Sequence, residues 1–371
     1  MDGFIPFDSR IHTSEQNVLT YRNIVSPFCD LSQINNEHSE GKAYIDENYG
    51  LVYDDYYLAK DAFIYGQVDK IPEYSGDHLA NQGFLRVPFR KIPKILVNNR
   101  AELMAILSGI ESRDPDLVVL YRGQFSEHPI KRDKETLYRL YGDENAQEPS
   151  LVTSAARKNL RLEDILPSWM AIINLYIEGV MARMPEGERK NIERSIINFQ
   201  SSSNFNAFGL ALAQHYGLPS VGLDVTPDID VALFFALRKY VDSDTPFHHA
   251  YQDIKEIKPT APPVIYLVAP TEDQQLDYFK MRPSILPFLR PDKQAARFMH
   301  TGWGLNKNFA ATKIFLAIYL NPEGDYGEIK QAAELFPPND SFAKLIDYIR
   351  INQKHDDPLL TKFLENFYII K

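Results

Sequence analysis

Apolar residues recur at helical spacing through Leu103, Ile106, Leu107 and Ile110, and Asn98-Asn99-Arg100-Ala101-Glu102 marks where that helix begins. Leu117-Val118-Val119-Leu120-Tyr121 is a short, nearly continuous apolar run, which predicts a buried strand ending in Arg122-Gly123. Long helical periodicity follows from Leu160 to Met184, carried by Trp169, Ile172, Leu175 and Ile177. A second helix is predicted over Asn206 to Tyr216, stopped by Gly217-Leu218-Pro219. Val221-Gly222-Leu223-Asp224-Val225 reads as another strand. Thr226-Pro227-Asp228 then supplies an N-cap, a proline at the first helical position and an acid in the first turn. The helix it opens, Ile229 to Tyr240, is apolar on nearly every side and is expected to be buried. Strands Val264 to Val268 and Lys313 to Leu320 flank a loop that holds Arg282, Arg290 and Gln294, and Ser341 to Lys371 reads as an amphipathic helical tail.

Helices and strands alternate here without a regular βαβ rhythm, which predicts an α+β domain rather than a doubly wound sheet. The first 90 residues are acidic and tyrosine-rich, as in Tyr49-Gly50-Leu51-Val52-Tyr53-Asp54-Asp55-Tyr56-Tyr57. Aromatic density of that kind argues against disorder. It predicts an irregular lobe of short strands or turns whose tyrosines cover one face of the main domain or, alternatively, form a substrate or partner surface. The expected division is an accessory lobe over residues 1–90, a main domain over 91–340 and a helical tail over 341–371.

Composition narrows the function classes. The chain has 371 residues, 44% hydrophobic and 24% charged, an ordinary globular balance. Its net charge of −10 excludes the broad basic footprint of a nonspecific DNA binder. One local cluster, Arg282, Arg290, Lys293 and Arg297, leaves room for a nucleic-acid contact. Cys29 is the single cysteine, so no intrachain disulfide and no cysteine metal site is expected. His248-His249 has no companion at metal-ligand spacing and reads as a solvated loop, so no metal is expected. Met1-Asp2-Gly3-Phe4 lacks a secretory n-region, and no run approaches the roughly 20 apolar residues of a membrane helix. The expectation is a cytoplasmic protein with no membrane partner.

Phosphate loops, dinucleotide fingerprints, zinc helices and nucleophile elbows are missing from the sequence. Polar residues at the ends of apolar strands stand out instead. Arg122 could hold a phosphate or carboxylate in a bidentate fork, or pair internally with Asp224. Gly123 lets backbone approach closely. His215, at a helix end beside Tyr216, could act as a general acid or base, or could simply cap the helix. Thr226 could cap a helix or present its hydroxyl to an anionic ligand. Asp224 at the end of an apolar strand needs a partner, and Arg122 is the candidate.

Tyr121-Arg122-Gly123-Gln124, Leu212-Ala213-Gln214-His215-Tyr216-Gly217-Leu218-Pro219, Leu223-Asp224-x-Thr226 and Ala232-Leu233-Phe234-Phe235-Ala236 resemble the successive signatures of the FRG domain. Arg290, Gln294 and Phe298 are similar to its later pattern, and Leu335-Phe336-Pro337 to its close. The resemblance spans roughly Lys91 to Leu335, with Val225 and Ala296 as departures, where an aromatic and a glycine are usual. A more distant similarity to ADP-ribosyltransferases implies a mixed split sheet with flanking helices and NAD as substrate. In that reading Arg122 grips phosphates, Thr226 supports the nicotinamide ribose and Gln294 takes the place of a late glutamate, with Glu334 a competing assignment. The resemblance makes Gln294, His215 and Thr226 the candidate catalytic residues, and Arg122, Gly123, Gln124, Tyr216, Asp224 and Arg290 the candidate ligand-binding ones. The implied function is an ADP-ribosyltransferase-like transferase or NAD glycohydrolase with a macromolecular acceptor, of the kind found in bacterial toxin or defence systems. The alternatives are a noncatalytic or nucleic-acid-sensing module in phage defence, and a hydrolase using His215 with Asp224.

Overall fold

A computed structural model describes residues 4–6, 43–46, 48–49, 51–54, 63–65, 81–158, 160, 162–241, 250–257, 259–300 and 307–351. Cys29, Asp55-Tyr56-Tyr57, His248-His249 and the tail from residue 352 onward lie outside the described residues.

The chain begins with β1 (Phe4–Pro6), β2 (Ala43–Asp46), β3 (Leu51–Asp54) and β4 (Phe63–Tyr65), paired in that order as an antiparallel sheet. Short strands were expected in this lobe, and the structure organises them into one sheet. β5 (Asn81–Val87) and β6 (Arg90–Asn99) form an antiparallel hairpin, with Val87 opposite Arg90. The expected boundary after residue 90 therefore falls inside a hairpin.

Helix α1 (Arg100–Arg113) starts where the sequence placed it. The Asn99 side chain accepts from the Glu102 amide, while the Glu102 carboxylate accepts from the Asn98 amide at 2.8 Å. Strand β7 (Leu120–Gln124) begins three residues later than the apolar run suggested, so Arg122 lies inside the strand rather than at its end. Next come α2 (Lys134–Tyr141), α3 (Ser154–Arg157), α4 (Leu162–Ala182), α5 (Glu186–Gln200) and α6 (Ser203–His215). Within α4 an 18-residue stretch, Ile165–Ala182, has a mean hydropathy of 1.4 and is long and apolar enough to cross a membrane by length and composition. That corrects the expectation that no run comes close. Trp169 and Ile173 on this helix are fully buried against Phe208 and Leu212 of α6.

After β8 (Gly222–Val225), the helix α7 (Ile229–Leu237) is buried as expected but stops before Tyr240. The chain then extends into β9 (Arg238–Val241), which pairs with β10 (Ala250–Asp253). Strand β11 (Val264–Val268) matches its expected bounds and is buried at all five positions. The segment expected as a loop holds more structure: β12 (Gln275–Asp277), α8 (Tyr278–Met281), α9 (Leu289–Lys293) and β13 (Arg297–His300). The long strand β14 (Ile314–Asp325), α10 (Ala332–Leu335) and α11 (Ser341–Ile351) complete the described chain.

Two sheets decide the site. The larger has the order β5-β6-β14-β11-β7, with β6 and β14 parallel and the other pairs antiparallel. The smaller is β12-β13-β8. They meet at one bridge, where the Tyr121 amide donates to the Thr226 carbonyl at 2.7 Å and the Thr226 amide returns a bond at 3.0 Å. The fold is α+β with a mixed sheet, as expected. On one face of the larger sheet Ile265, Leu267 and Leu316 pack on α1 and α7. On the other face Leu120, Tyr266 and Val268 pack on Leu223, Val225 and Met299 of the smaller sheet.

Candidate functional site

The site forms where the two sheets part. Beyond the Tyr121–Thr226 bridge a continued antiparallel ladder would set Gly123 opposite Asp224. Instead the side chain of Arg122 spans the gap, its Nη1 donating to the Asp224 carbonyl at 2.7 Å. Arg122 thus acts as a strut between the sheets. The expected Arg122–Asp224 bridge is corrected: the guanidinium binds the main-chain oxygen, and the carboxylate turns elsewhere.

That carboxylate meets His215. Helix α6 ends with Gly217 at φ +82, where the Leu218 amide bonds the Ala213 carbonyl at 3.0 Å and the Gly217 amide bonds Gln214 at 3.2 Å. The left-handed turn requires glycine and reverses the chain toward β8. It brings His215 Nδ1 to 3.4 Å from Asp224 Oδ1. The hydroxyl of Tyr278 donates to the Ala211 carbonyl at 2.6 Å and shares its proton weakly with the same Asp224 oxygen at 3.3 Å. Burial, reinforced by Asp224, holds the Tyr278 phenol well above its ordinary range, so it stays a donor. The His215 ring is buried, and neither nitrogen has a well-aligned hydrogen-bond partner among the described residues.

A cavity of about 200 Å³ opens beside this pair. Tyr121, Arg122, Gly123, Gln214, His215, Asp224, Thr226, Phe235, Gln294 and Ala296 line it, with Val225, Val231 and Ala232. Six of the residues singled out by the sequence, Arg122, Gly123, His215, Asp224, Thr226 and Gln294, therefore face one space. Asp224 is the one carboxylate among the lining residues.

Three others stand apart from that lining. The Gln124 Oε1 is buried without a hydrogen-bond partner among the described residues. Tyr216 donates its hydroxyl to Asp340 at 2.6 Å, and burial raises its phenol well above the ordinary range. Arg290 lies over the Tyr216 ring.

Several assigned roles change in detail. Thr226 is not an N-cap: Asp228 caps α7, its Oδ1 accepting from the Asp230 amide at 2.8 Å. Thr226 Oγ1 instead donates to the Gln294 carbonyl at 2.9 Å and accepts from the Asp228 amide at 3.0 Å. Gln294 donates Nε2 to the Leu335 carbonyl at 3.0 Å, so its amide pins α10. Glu334 bonds the Gln331 amide and is absent from the lining. Gly123 does permit a close approach, but to protein: a Cβ there would sit 1.9 Å from the Ala232 carbonyl oxygen of α7. In the basic cluster, Arg282 is paired with Asp292 at 2.7 Å and Arg297 with Asp277, Arg290 is buried and Lys293 is exposed. Among the described residues no group of three His, Cys, Asp or Glu side chains could hold a metal.

The model of the FRG domain matches residues 119–245, from the start of β7 past the end of β9. The chain carries an FRG domain. The match is narrower than the span of the resemblance, and it holds Arg122, Gly123, Gln124, His215, Tyr216, Asp224 and Thr226. Gln294 and Arg290, which complete the surroundings of the FRG site, come from outside it. Neither the curated proteins nor the solved structures contain a match. Tyr278 and Asp340 carried no sequence signal, and Phe336 stood out only as part of the closing Leu335-Phe336-Pro337 of the resemblance. Tyr278 meets Asp224, 54 residues away, and Asp340 meets Tyr216, 124 residues away, and no local pattern couples such pairs.

Proposed function

We propose that the FRG domain binds NAD at the sheet junction and breaks its nicotinamide–ribose bond, passing ADP-ribose to water or to a macromolecular acceptor. The supporting observation is the convergence of Arg122, His215, Asp224 and Thr226 on one cavity that holds a single carboxylate. Cleavage of the N-glycosidic bond sends its electron pair to the ring nitrogen of nicotinamide and leaves positive charge on the ribose. A nearby carboxylate stabilises that charge, which an amide cannot do. Asp224 therefore suits the role that the resemblance gave to Gln294. The water or acceptor attacks the ribose carbon and its proton is released, with His215 placed against Asp224 to receive it. At about 200 Å³ the cavity lies below the roughly 300–1,000 Å³ of drug-sized pockets, so it suits the nicotinamide riboside end rather than a whole dinucleotide.

Incubation of the full chain with NAD and chromatographic detection of nicotinamide tests this. The expected result is turnover in the wild type and a loss of about 100-fold or more in Asp224→Asn at unchanged melting temperature, the size of one electrostatic contribution in a transition state. No nicotinamide release and no NAD-dependent rise in melting temperature would end the NAD reading.

The His215–Asp224 pair at 3.4 Å favours a second reading, a hydrolase with His215 as general base. Turnover of an ester or phosphoester panel, with no response to NAD, would select it.

A further inference from the structure

We propose that Arg290 forms an anion subsite adjoining the cavity, built to take a phosphate or diphosphate group. Arg290 is 9% exposed, and its guanidinium carbon lies over the ring of Tyr216, 4.9 Å from the centroid, and over the ring of Phe336, at 5.4 Å. Among the described residues its Nε is buried without an acceptor, and no carboxylate lies within ion-pair range of the guanidinium. Its neighbours differ: Arg282 has both Asp292 oxygens at 2.7 Å, and Arg297 has Asp277. The nearby acid, Asp340, is engaged otherwise. Its Oδ2 accepts from the Tyr216 hydroxyl and from the main-chain amide of Arg290, and its Oδ1 from the amides of Phe342 and Ala343.

A buried cation without a counter-ion is costly, and an arriving anion removes that cost. Contact with two rings supplies no hydrogen-bond acceptor, so the guanidinium N–H groups keep their capacity to donate. A planar fork held in this way matches an oxyanion, most closely the bidentate geometry of phosphate. Burial and the two ring contacts restrict the side chain before any ligand arrives, so little ordering is left to oppose binding.

The position relates the subsite to the cavity. Arg290 precedes Gln294 by one helical turn, Tyr216 follows His215, and the ring of Phe336 lies 6.2 Å from that of Phe235. Gln294, His215 and Phe235 all line the cavity. A ligand with a nucleoside in the cavity and a phosphate extending past Gln294 would reach Arg290. The ligand class is thus a phosphorylated nucleoside, and only its naming as NAD rests on the reading above.

The test measures binding of inorganic pyrophosphate and of NAD to the full chain by thermal shift, in the wild type, Arg290→Lys and Arg290→Gln. The expected result is that pyrophosphate raises the wild-type melting temperature and that Arg290→Gln weakens both ligands by roughly tenfold or more, as loss of a charged hydrogen bond should. Arg290→Lys, which keeps the charge and loses the fork, should fall between them. Pyrophosphate binding that depends on Arg290 without any NAD binding leaves the subsite standing and removes the NAD reading. NAD binding that is equal in wild type and Arg290→Lys does the reverse. No response of the wild type to pyrophosphate, or a response abolished by Arg122→Lys and untouched at Arg290, overturns the proposal. Should Arg290→Gln fail to fold, the wild-type titration and Arg290→Lys still decide.

Discussion

Thr226 shows how a residue can be chosen correctly for a reason that its surroundings replace. The sequence Thr-Pro-Asp offered a ready cap, yet Asp228 takes that position and receives Lys330 on its other oxygen at 2.5 Å. Thr226 instead ties β8 to the carbonyl of Gln294, 68 residues along the chain, at the point where the two sheets meet. The two substitutions should therefore separate. Asp228→Ala removes a cap and should cost about 1 kcal/mol. Thr226→Val leaves the Asp228 amide and the Gln294 carbonyl without their shared partner in a buried setting, which should cost about 1–3 kcal/mol. It should also lower NAD or pyrophosphate binding, because Gln294 lines the cavity. Urea denaturation of both variants checks the difference, and equal, cap-sized losses would contradict this account.

At the scale of elements the decisive contact is between β7 and α7. An alanine Cβ at position 123 would fall 1.9 Å from the Ala232 carbonyl oxygen and 3.0 Å from the Ala236 nitrogen, and both are backbone atoms that no rotamer change can move. Gly123→Ala should therefore destabilise at or above the upper end of the roughly 1–3 kcal/mol seen for overpacking. Because α7 carries Val231, Ala232 and Phe235 on the cavity wall, binding should fall with stability. The same contact explains what the sequence could express. A strand buried on both faces, such as Val264–Val268, shows as an unbroken apolar run, and its limits are legible to the residue. Helix α7 is legible for the same reason, but its end is not. Arg238–Val241 follows the apolar run with no glycine or proline to mark a stop, and only pairing with Ala250–Asp253 turns it into a strand. The three- and four-residue strands β12 and β13 are stabilised by partners distant in sequence, so no window of local pattern contains them. The site divides likewise. Arg122, His215 and Asp224 could be named from strand and helix ends, whereas the turning of Asp224 toward His215 and Tyr278 follows from the parting of the sheets.

Across the whole molecule, the amino-terminal sheet is fastened to the main domain by a buried charge cluster. Arg132 bonds Asp46 Oδ2 at 2.8 Å and Glu148 Oε2 at 2.6 Å, and all three side chains are fully inaccessible. Tyr141 donates to Glu148, the Asn48 amide donates to Asp46 at 3.0 Å, and Asn308 donates to the Tyr49 hydroxyl at 3.2 Å. Two carboxylates thus share one guanidinium out of water. Burial raises the Asp46 carboxyl to about 7, with Arg132 opposing the rise and Glu148 adding to it. An unfolded aspartate titrates near 3.9, so between about pH 4 and pH 7 the folded chain holds a proton that the unfolded chain has released. Stability from this group is therefore complete below about pH 4 and is lost as pH rises through about 7. Asp46→Asn removes that titration, so the wild type should lose melting temperature relative to the variant between pH 5 and pH 8. A difference that stays constant across this interval would show that Asp46 does not titrate there. Arg132→Met is the complementary test. It leaves two buried carboxylates without their cation, an arrangement that typically costs 3–5 kcal/mol, and the loss should grow with pH as Asp46 ionises.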